Sequence, residues 1–172
     1  MTLFTLFVVL SCASVIRSET CFGPKETSLI STIRIPTGQS TSCPSGWKGY
    51  KNHCYHFSSN TNTWNGAEIR CRTMGGYLVQ ITDSSENAWF ANMHTKSVQH
   101  HYGYWIGATK VHGGRWRWTH DSSNVKYFSW SRNQPDNAGG KENCAHFWRG
   151  MDKWNDAGCT TWGIGYICEK VQ

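Results

Sequence analysis

Five of the acid and amide side chains in one segment near the end of the sequence are candidate metal ligands. Within RNQPDNAGGKENCAHFWRGMDKWNDAGC they are Gln134, Asp136, Glu142, Asn155 and Asp156. Calcium takes about 6 to 8 oxygen ligands from carboxylates, amide carbonyls and water, and it tolerates irregular geometry. Three carboxylates against one dication leave such a site close to neutrality. The segment therefore predicts a metal site for Ca2+.

The residues between and around these side chains favour their convergence. Pro135 separates Gln134 from Asp136, and a cis X-Pro bond bends the backbone enough to point both side chains the same way. Cys144 and Cys159 flank the second half of the segment and would staple it. Taken alone, Gln-Pro-Asp-Asn is an ordinary turn and Trp-Asn-Asp is a strand end with a cap. Their combination, with an acid-amide pair between them, favours the metal site.

Two helices are predicted before this segment. Apolar residues recur at helical spacing from Thr63 until Gly75 and Gly76 end the pattern. A second helix should begin near Asp83, whose carboxylate can cap it while Glu86 reaches back. Both helices come before most of the predicted strands.

Short strands complete the predicted fold. They are expected within residues 43–57, 77–81, 104–108, 115–119, 144–148 and 162–170. The last one alternates, with Trp162, Ile164, Tyr166 and Cys168 on one face, as a half-buried strand does. Because the helices come first and most strands later, the fold class is α+β, and 172 residues suit one domain.

The N-terminus predicts secretion. The apolar run from Leu3 to Leu10, followed by small residues, is typical of a signal peptide, which we place at residues 1–18. The run is well short of the roughly 20 apolar residues that span a membrane, so no membrane insertion is expected. We expect a secreted, extracellular protein with an N-terminal arm at residues 19–42 and a domain at residues 43–170.

Cysteine usage agrees with an extracellular location. The chain has eight cysteines, and Cys12 would leave with the signal peptide. Six of the remaining seven can pair within the domain in about 15 ways, so spacing leaves the connectivity open. Cys21 lies in the arm, and a lone thiol there more often pairs between chains. It predicts a disulfide-linked homodimer or larger oligomer.

Several classes of function are disfavoured by composition and motifs. The net charge of +6 comes from scattered residues without a nucleic-acid-binding motif, so no nucleic-acid partner is expected. The charge either attracts anionic cell surfaces or only aids solvation. No nucleophile elbow, phosphate loop or zinc-protease helix occurs, and the histidines lack zinc-site spacing, so the protein is not expected to be an enzyme.

Taken together, these features resemble the C-type lectin-like domain over residues 43–170. The motifs that carry the resemblance are CPSGW, the helix with Cys71, YWIGA, QPD, EN, WND and YICE. The resemblance implies two helices and two small antiparallel sheets with a long calcium-binding loop. It also implies the disulfides Cys43–Cys54, Cys71–Cys168 and Cys144–Cys159. The five oxygen-bearing residues would then be the principal calcium site.

The resemblance also implies how a sugar would bind. In this family, two adjacent sugar hydroxyls coordinate the ion, and each exchanges hydrogen bonds with an amide and a carboxylate ligand. Members with Glu-Pro-Asn favour mannose, whereas Gln134 and Asp136 match the members that favour galactose. Glu142 and Asn155 would be the second acid and amide. His146 matches a histidine that lies near the sugar's 2-substituent in such members, so N-acetylgalactosamine is a second candidate ligand. Alternatively, His146 is only a half-exposed histidine on a strand, without a role in binding.

Two departures from the family pattern modify this expectation. Galactose-type members usually carry a Trp after Gln-Pro-Asp, but residues 137–141 have no aromatic. We therefore expect roughly millimolar single-site binding, about −4 kcal/mol, unless Trp148 supplies the ring. Joining sites through Cys21 would restore avidity. Residues 108–118 have no acid for the additional calcium site of some members, so one calcium is expected.

The expected function is calcium-dependent binding of terminal galactose or N-acetylgalactosamine on cell or microbial surfaces. Innate immune recognition or agglutination would be its setting. The alternative is a secreted lectin-like domain that binds a mineral, ice or a protein, with calcium as a structural element. The completeness of the set from Gln134 to Asp156 favours the sugar.

Overall fold

A computed structural model of the protein describes residues 42–95, 102–110, 114–148 and 152–172. The predicted signal peptide, nearly all of the arm, and Cys21 lie outside these residues. The signal peptide and the inter-chain disulfide therefore stay predictions.

Two α-helices, eight β-strands and one short 3-10 turn lie within the described residues. The helices are α1, Trp64–Thr73, and α2, Ser84–Thr95. The strands are β1 Lys48–Tyr50, β2 His53–Phe57, β3 Tyr77–Leu78, β4 Gly103–Thr109, β5 Arg117–Trp118, β6 Glu142–Trp148, β7 Trp154–Gly158 and β8 Gly165–Val171. The 3-10 turn spans Ala138–Gly140.

Both helices begin where the capping residues predict. The Gly66 N–H donates to Thr63 Oγ1 over 3.2 Å, which satisfies one of the free amides at the start of α1. The Glu86 N–H donates to Asp83 Oδ1 over 2.8 Å at the start of α2. The Glu86 carboxylate reaches back one residue further than predicted, because it accepts the Thr82 N–H.

The strands form one connected mixed sheet in the order β1-β2-β8-β4-β6-β7, with β3 on β8 and β5 on β4. The β4 and β8 strands run parallel, with Tyr104 opposite Gly165, and the other pairs are antiparallel. The α+β class with two helices is confirmed. The two antiparallel sheets expected from the resemblance are joined into one by the β4–β8 pair.

The C-terminal strand differs from its prediction. It begins at Gly165, and Trp162 lies outside it with 67% of its surface exposed. The strand is buried on both faces because a separate cluster of apolar side chains packs against each face. Ile167 packs into a cluster with Tyr55, while Tyr166 packs into a second cluster with residues of α1. The alternating pattern predicted one buried face, but a strand in the centre of a covered sheet is buried on both faces.

Three disulfides form the pairs that the resemblance implied. They are Cys43–Cys54, Cys71–Cys168 and Cys144–Cys159. The second ties α1 to β8, and the third joins the start of β6 to the residue after β7. Neither helix in the described part of the chain is long and apolar enough to cross a membrane.

Candidate metal centre

The β6–β7 hairpin brings the two halves of the predicted site together. Antiparallel pairing places Asn155 opposite His146 and Asp156 opposite Ala145. The register shifts between Glu142 and Cys144, and such irregularities often redirect side chains beside functional sites. The loop before β6 therefore faces β7 at the position of the Asn-Asp pair.

The Gln134–Pro135 peptide bond is cis, as the sequence analysis predicted. Gln134 Oε1 accepts the Asp136 N–H over 3.1 Å, so the side chain turns back across the proline. Asn137 then adopts a left-handed conformation with φ 50°, which asparagine tolerates better than most residues. This tight course brings the loop over β7.

Three of the predicted ligands converge. Asp136, Glu142 and Asp156 each offer a carboxylate oxygen, and these oxygens all lie within 4.8 Å of one another. Asp136 is exposed, Glu142 is half-buried and Asp156 is fully buried. It is the one such group of acid, histidine or cysteine side chains within the described ranges. The donor set is all oxygen and triply negative, which fits a hard dication such as Ca2+.

Backbone amides of the loop hold the carboxylates in place. Asp156 accepts the Asp136 N–H over 3.1 Å and the Asn137 N–H over 3.0 Å. Glu142 accepts the Ala138 N–H over 2.9 Å, and its own N–H donates to Asn137 Oδ1 over 3.0 Å. These bonds position the acids before any ion binds.

Electrostatics within the cluster favour an added cation. Burial raises the pKa of Glu142 above its ordinary value, the Ala138 N–H opposes this shift, and the charges of Asp156 and Asp136 add to it. A raised pKa means that the ionised carboxylate is disfavoured where it lies. A dication bound among the three acids would instead stabilise the ionised carboxylate.

The second predicted amide lies beside the predicted histidine. Asn155 Nδ2 is 3.1 Å from His146 Nε2 and also donates to the Asp156 carbonyl oxygen. His146 is only 5% exposed, so it is not the half-exposed strand histidine considered above. Burial lowers the pKa of His146 to about 4, which keeps its ring neutral at neutral pH. Half-buried Trp148 follows on the same strand face, with its ring centroid 6.3 Å from that of His146.

One charged residue at the cluster was missed by the sequence analysis. Lys110 Nζ lies 3.8 Å from Asp156 Oδ2, and the lysine side chain is 15% exposed. Lys110 directly follows β4, which pairs with β6. The sequence shows a lysine directly after YWIGAT. Only the pairing of β4 with β6 reveals that this lysine faces Asp156.

Comparisons with known proteins agree with the fold and the motifs. The C-type lectin domain family model matches residues 60–170. A perlucin-like protein of Mytilus galloprovincialis is 53% identical over 128 residues, covering 73% of this chain and 81% of the relative. The mouse scavenger receptor C-type lectin carbohydrate-recognition domain superposes with a TM-score of 0.68 at 32% identity, covering 76% of this chain and 99% of that one.

A further solved structure extends the likeness. The cow C-type carbohydrate-recognition domain of CD23, determined in the presence of a GlcNAc2Man3 oligosaccharide, has a TM-score of 0.68 at 28% identity. It covers 77% of this chain and 98% of the other. The chain belongs to the C-type lectin domain family. Domains of this family generally bind Ca2+, and the acids described above are where this chain would hold it.

Proposed function

We propose that this protein is a calcium-dependent lectin that binds terminal galactose or N-acetylgalactosamine on cell or microbial surfaces. The observation that carries the proposal is the convergence of the carboxylate oxygens of Asp136, Glu142 and Asp156, all within 4.8 Å of one another. Gln134 and Asn155 supply the two amides of the set. Innate immune recognition or agglutination is the proposed setting.

The sugar-binding residues divide into acids and amides. These acids and amides would hold a calcium ion, which when bound would coordinate two adjacent sugar hydroxyls. The Gln134 side-chain N–H would donate to one hydroxyl, and the Asn155 N–H would donate to the other in exchange for its bond to the Asp156 carbonyl oxygen. The carboxylates of Asp136 and Glu142 would accept from the two hydroxyls. The order of amide first and acid second in Gln-Pro-Asp supports galactose-type over mannose-type recognition.

Two further residues form the proposed side wall of the sugar site. His146 is too buried to offer much surface, so it acts mainly by holding the Asn155 amide. Half-buried Trp148 lies beside it and provides an aromatic surface that the loop at residues 137–141 lacks. An aromatic ring packs against the apolar face of a sugar. We therefore assign contact with the sugar or its 2-substituent to Trp148, and the positioning of the Asn155 amide to His146.

Affinity for cell surfaces would come from several joined sites. One site without a loop tryptophan should bind only in the millimolar range, about −4 kcal/mol. Linking copies through Cys21 in a secreted dimer or larger oligomer raises avidity without new contacts. Electrophoresis with and without reductant tests this linkage, and a Cys21→Ser variant should run as a monomer in both.

The decisive experiment is chromatography of the secreted protein on immobilised galactose. We expect retention in calcium and release by a chelator. Asp136→Asn should pass through the column, whereas Asp152→Asn, an exposed acid outside the cluster, should be retained. Passage of the unchanged protein on both galactose and N-acetylgalactosamine supports would overturn the proposal and direct the search to non-sugar targets.

A further inference from the structure

An internal cation lies against the proposed metal centre. Lys110 Nζ is 3.8 Å from Oδ2 of Asp156, whose side chain is fully buried. The same oxygen accepts the Asn137 N–H over 3.0 Å. The buried carboxylate therefore already has a positively charged neighbour within the protein.

The position of Lys110 is fixed by its surroundings. Its N–H donates to the Asn143 carbonyl oxygen over 2.9 Å, one residue after Glu142. Its ammonium lies 5.1 Å from the centroid of the Trp116 ring, a cation–π distance. With a side chain 15% exposed, Lys110 has little room to move its charge into water.

We propose that Lys110 is a built-in counter-ion of this centre that sets its affinity for divalent cations. When the centre is empty, the ammonium neutralises Asp156 and preserves the loop. When a dication binds, the same ammonium repels it. Both effects lower divalent affinity, because the first stabilises the metal-free state and the second destabilises the metal-bound state. This inference rests on the proposed calcium site.

Charge balance supports the proposal. Asp136, Glu142 and Asp156 carry three negative charges, and Lys110 offsets one of them. A single dication then brings the group to neutrality, whereas removal of Lys110 leaves one negative charge in excess. Like charges a few ångströms apart in partly buried surroundings interact strongly, since local screening by water is weak.

The test replaces Lys110 by a neutral side chain of similar length. Lys110→Met should raise calcium affinity about tenfold by isothermal titration calorimetry. The unfolding midpoint without calcium should fall, so the midpoint shift on adding calcium should grow. Lys110→Arg keeps the charge and should change affinity less than about threefold. Lys110→Gln is the second neutral variant if the methionine variant does not fold.

Lys170→Met is a matched control. Lys170 also places its ammonium over a tryptophan ring, 4.1 Å from the centroid of Trp47, but it makes no ion pair with the described acids of the centre. This variant should leave calcium affinity unchanged. A merely structural role of Lys110 would lower the unfolding midpoint without raising affinity.

The outcomes separate this inference from the proposed function. If the unchanged protein binds calcium and the neutral variants bind it equally or more weakly, the inference is wrong and the calcium site stands. If only the neutral variants bind calcium, the inference stands and the proposed calcium dependence fails. If none of these proteins binds calcium, both are wrong.

Discussion

Two groups of acids in this protein are built in different ways. Between β2, α2 and β8, Glu86 accepts the Tyr55 hydroxyl over 2.6 Å and the Thr82 N–H over 2.8 Å. Glu169 in the same region accepts the Gln80 N–H over 2.8 Å. In the loop region, carboxylate oxygens of three acids lie within 4.8 Å of one another.

The remaining partners sharpen the contrast. The other oxygen of Glu169 bonds the ring of His53, so each of the four carboxylate oxygens of Glu86 and Glu169 has a protein donor. Burial and the bond to Glu86 raise the pKa of Tyr55 far above its ordinary value, which keeps that donor protonated. Glu86 and Glu169 are therefore fully paired within the fold. The loop acids also accept backbone N–H groups, but their carboxylates converge, as the proposed calcium site requires.

The largest expected effect is loss of the metal at the loop. Asp156→Asn removes a buried charged ligand and should lower calcium affinity by at least about 100-fold in isothermal titration calorimetry. Its unfolding midpoint without calcium should also fall, because Lys110 loses its charged partner and one of the Asp136 and Asn137 N–H groups loses its acceptor. Asp152→Asn is the control and should bind normally. Unchanged affinity in the Asp156 variant would remove the distinction between the two regions.

The next effect is on stability and belongs to the other region. In Glu86→Gln one oxygen becomes an amide nitrogen, so either the Thr82 N–H or the Tyr55 hydroxyl loses its acceptor. We expect the free energy of unfolding to fall by about 1–3 kcal/mol in urea titrations. Calcium affinity should not change. A loss of calcium affinity comparable to that of Asp156→Asn would show that the two regions act as one.

A smaller effect is expected on sugar preference. Gln134→Glu with Asp136→Asn exchanges the acid and the amide while keeping the total charge. The preference between galactose and mannose should shift by about tenfold toward mannose, because each sugar hydroxyl then meets the opposite partner. A glycan array in calcium measures the ratio. Retained calcium binding with an unaltered galactose preference would contradict the assigned roles of the two residues.

The smallest expected effect is Tyr55→Phe. This change removes one neutral hydrogen-bond donor to Glu86 and keeps the aromatic packing of Tyr55 against Phe90, where the ring centroids are 5.1 Å apart. The free energy of unfolding should fall by about 1 kcal/mol. Sugar retention should be normal. A free energy of unfolding equal to that of the parent protein would mean that the Glu86 carboxylate does not depend on this hydrogen bond.

Local patterns in the sequence predicted much of the fold. The start of α1 near Thr63 and the cap of α2 at Asp83 were predicted because helix ends are specified by neighbouring residues. The burial of β8 was underestimated because the side chains that pack against its two faces come from distant parts of the chain. Sequence spacing alone did not indicate which residues would cover each face.

The same division applies to the candidate site. Asp136 and Glu142 are six residues apart, and their shared loop made their proximity predictable. Asp156 was assigned to the site because the Trp-Asn-Asp motif accompanies Gln-Pro-Asp in the family that the sequence resembles, and the β6–β7 hairpin places it there. The approach of Lys110 to Asp156 depends on pairing between β4 and β6, and the depth of His146 depends on packing against Trp105, at 5.7 Å between centroids. Neither relation is encoded by spacing along the chain.

The exposed tip at residues 137–141 touches the acids through main-chain groups and one asparagine. Ala138 and Lys141 are exposed and contribute no side-chain bond to the acids among the described contacts. Mutation can therefore sample new side chains at these two positions at little cost to folding. Gene duplication of such a chain would yield proteins with the same scaffold and different ligand preferences.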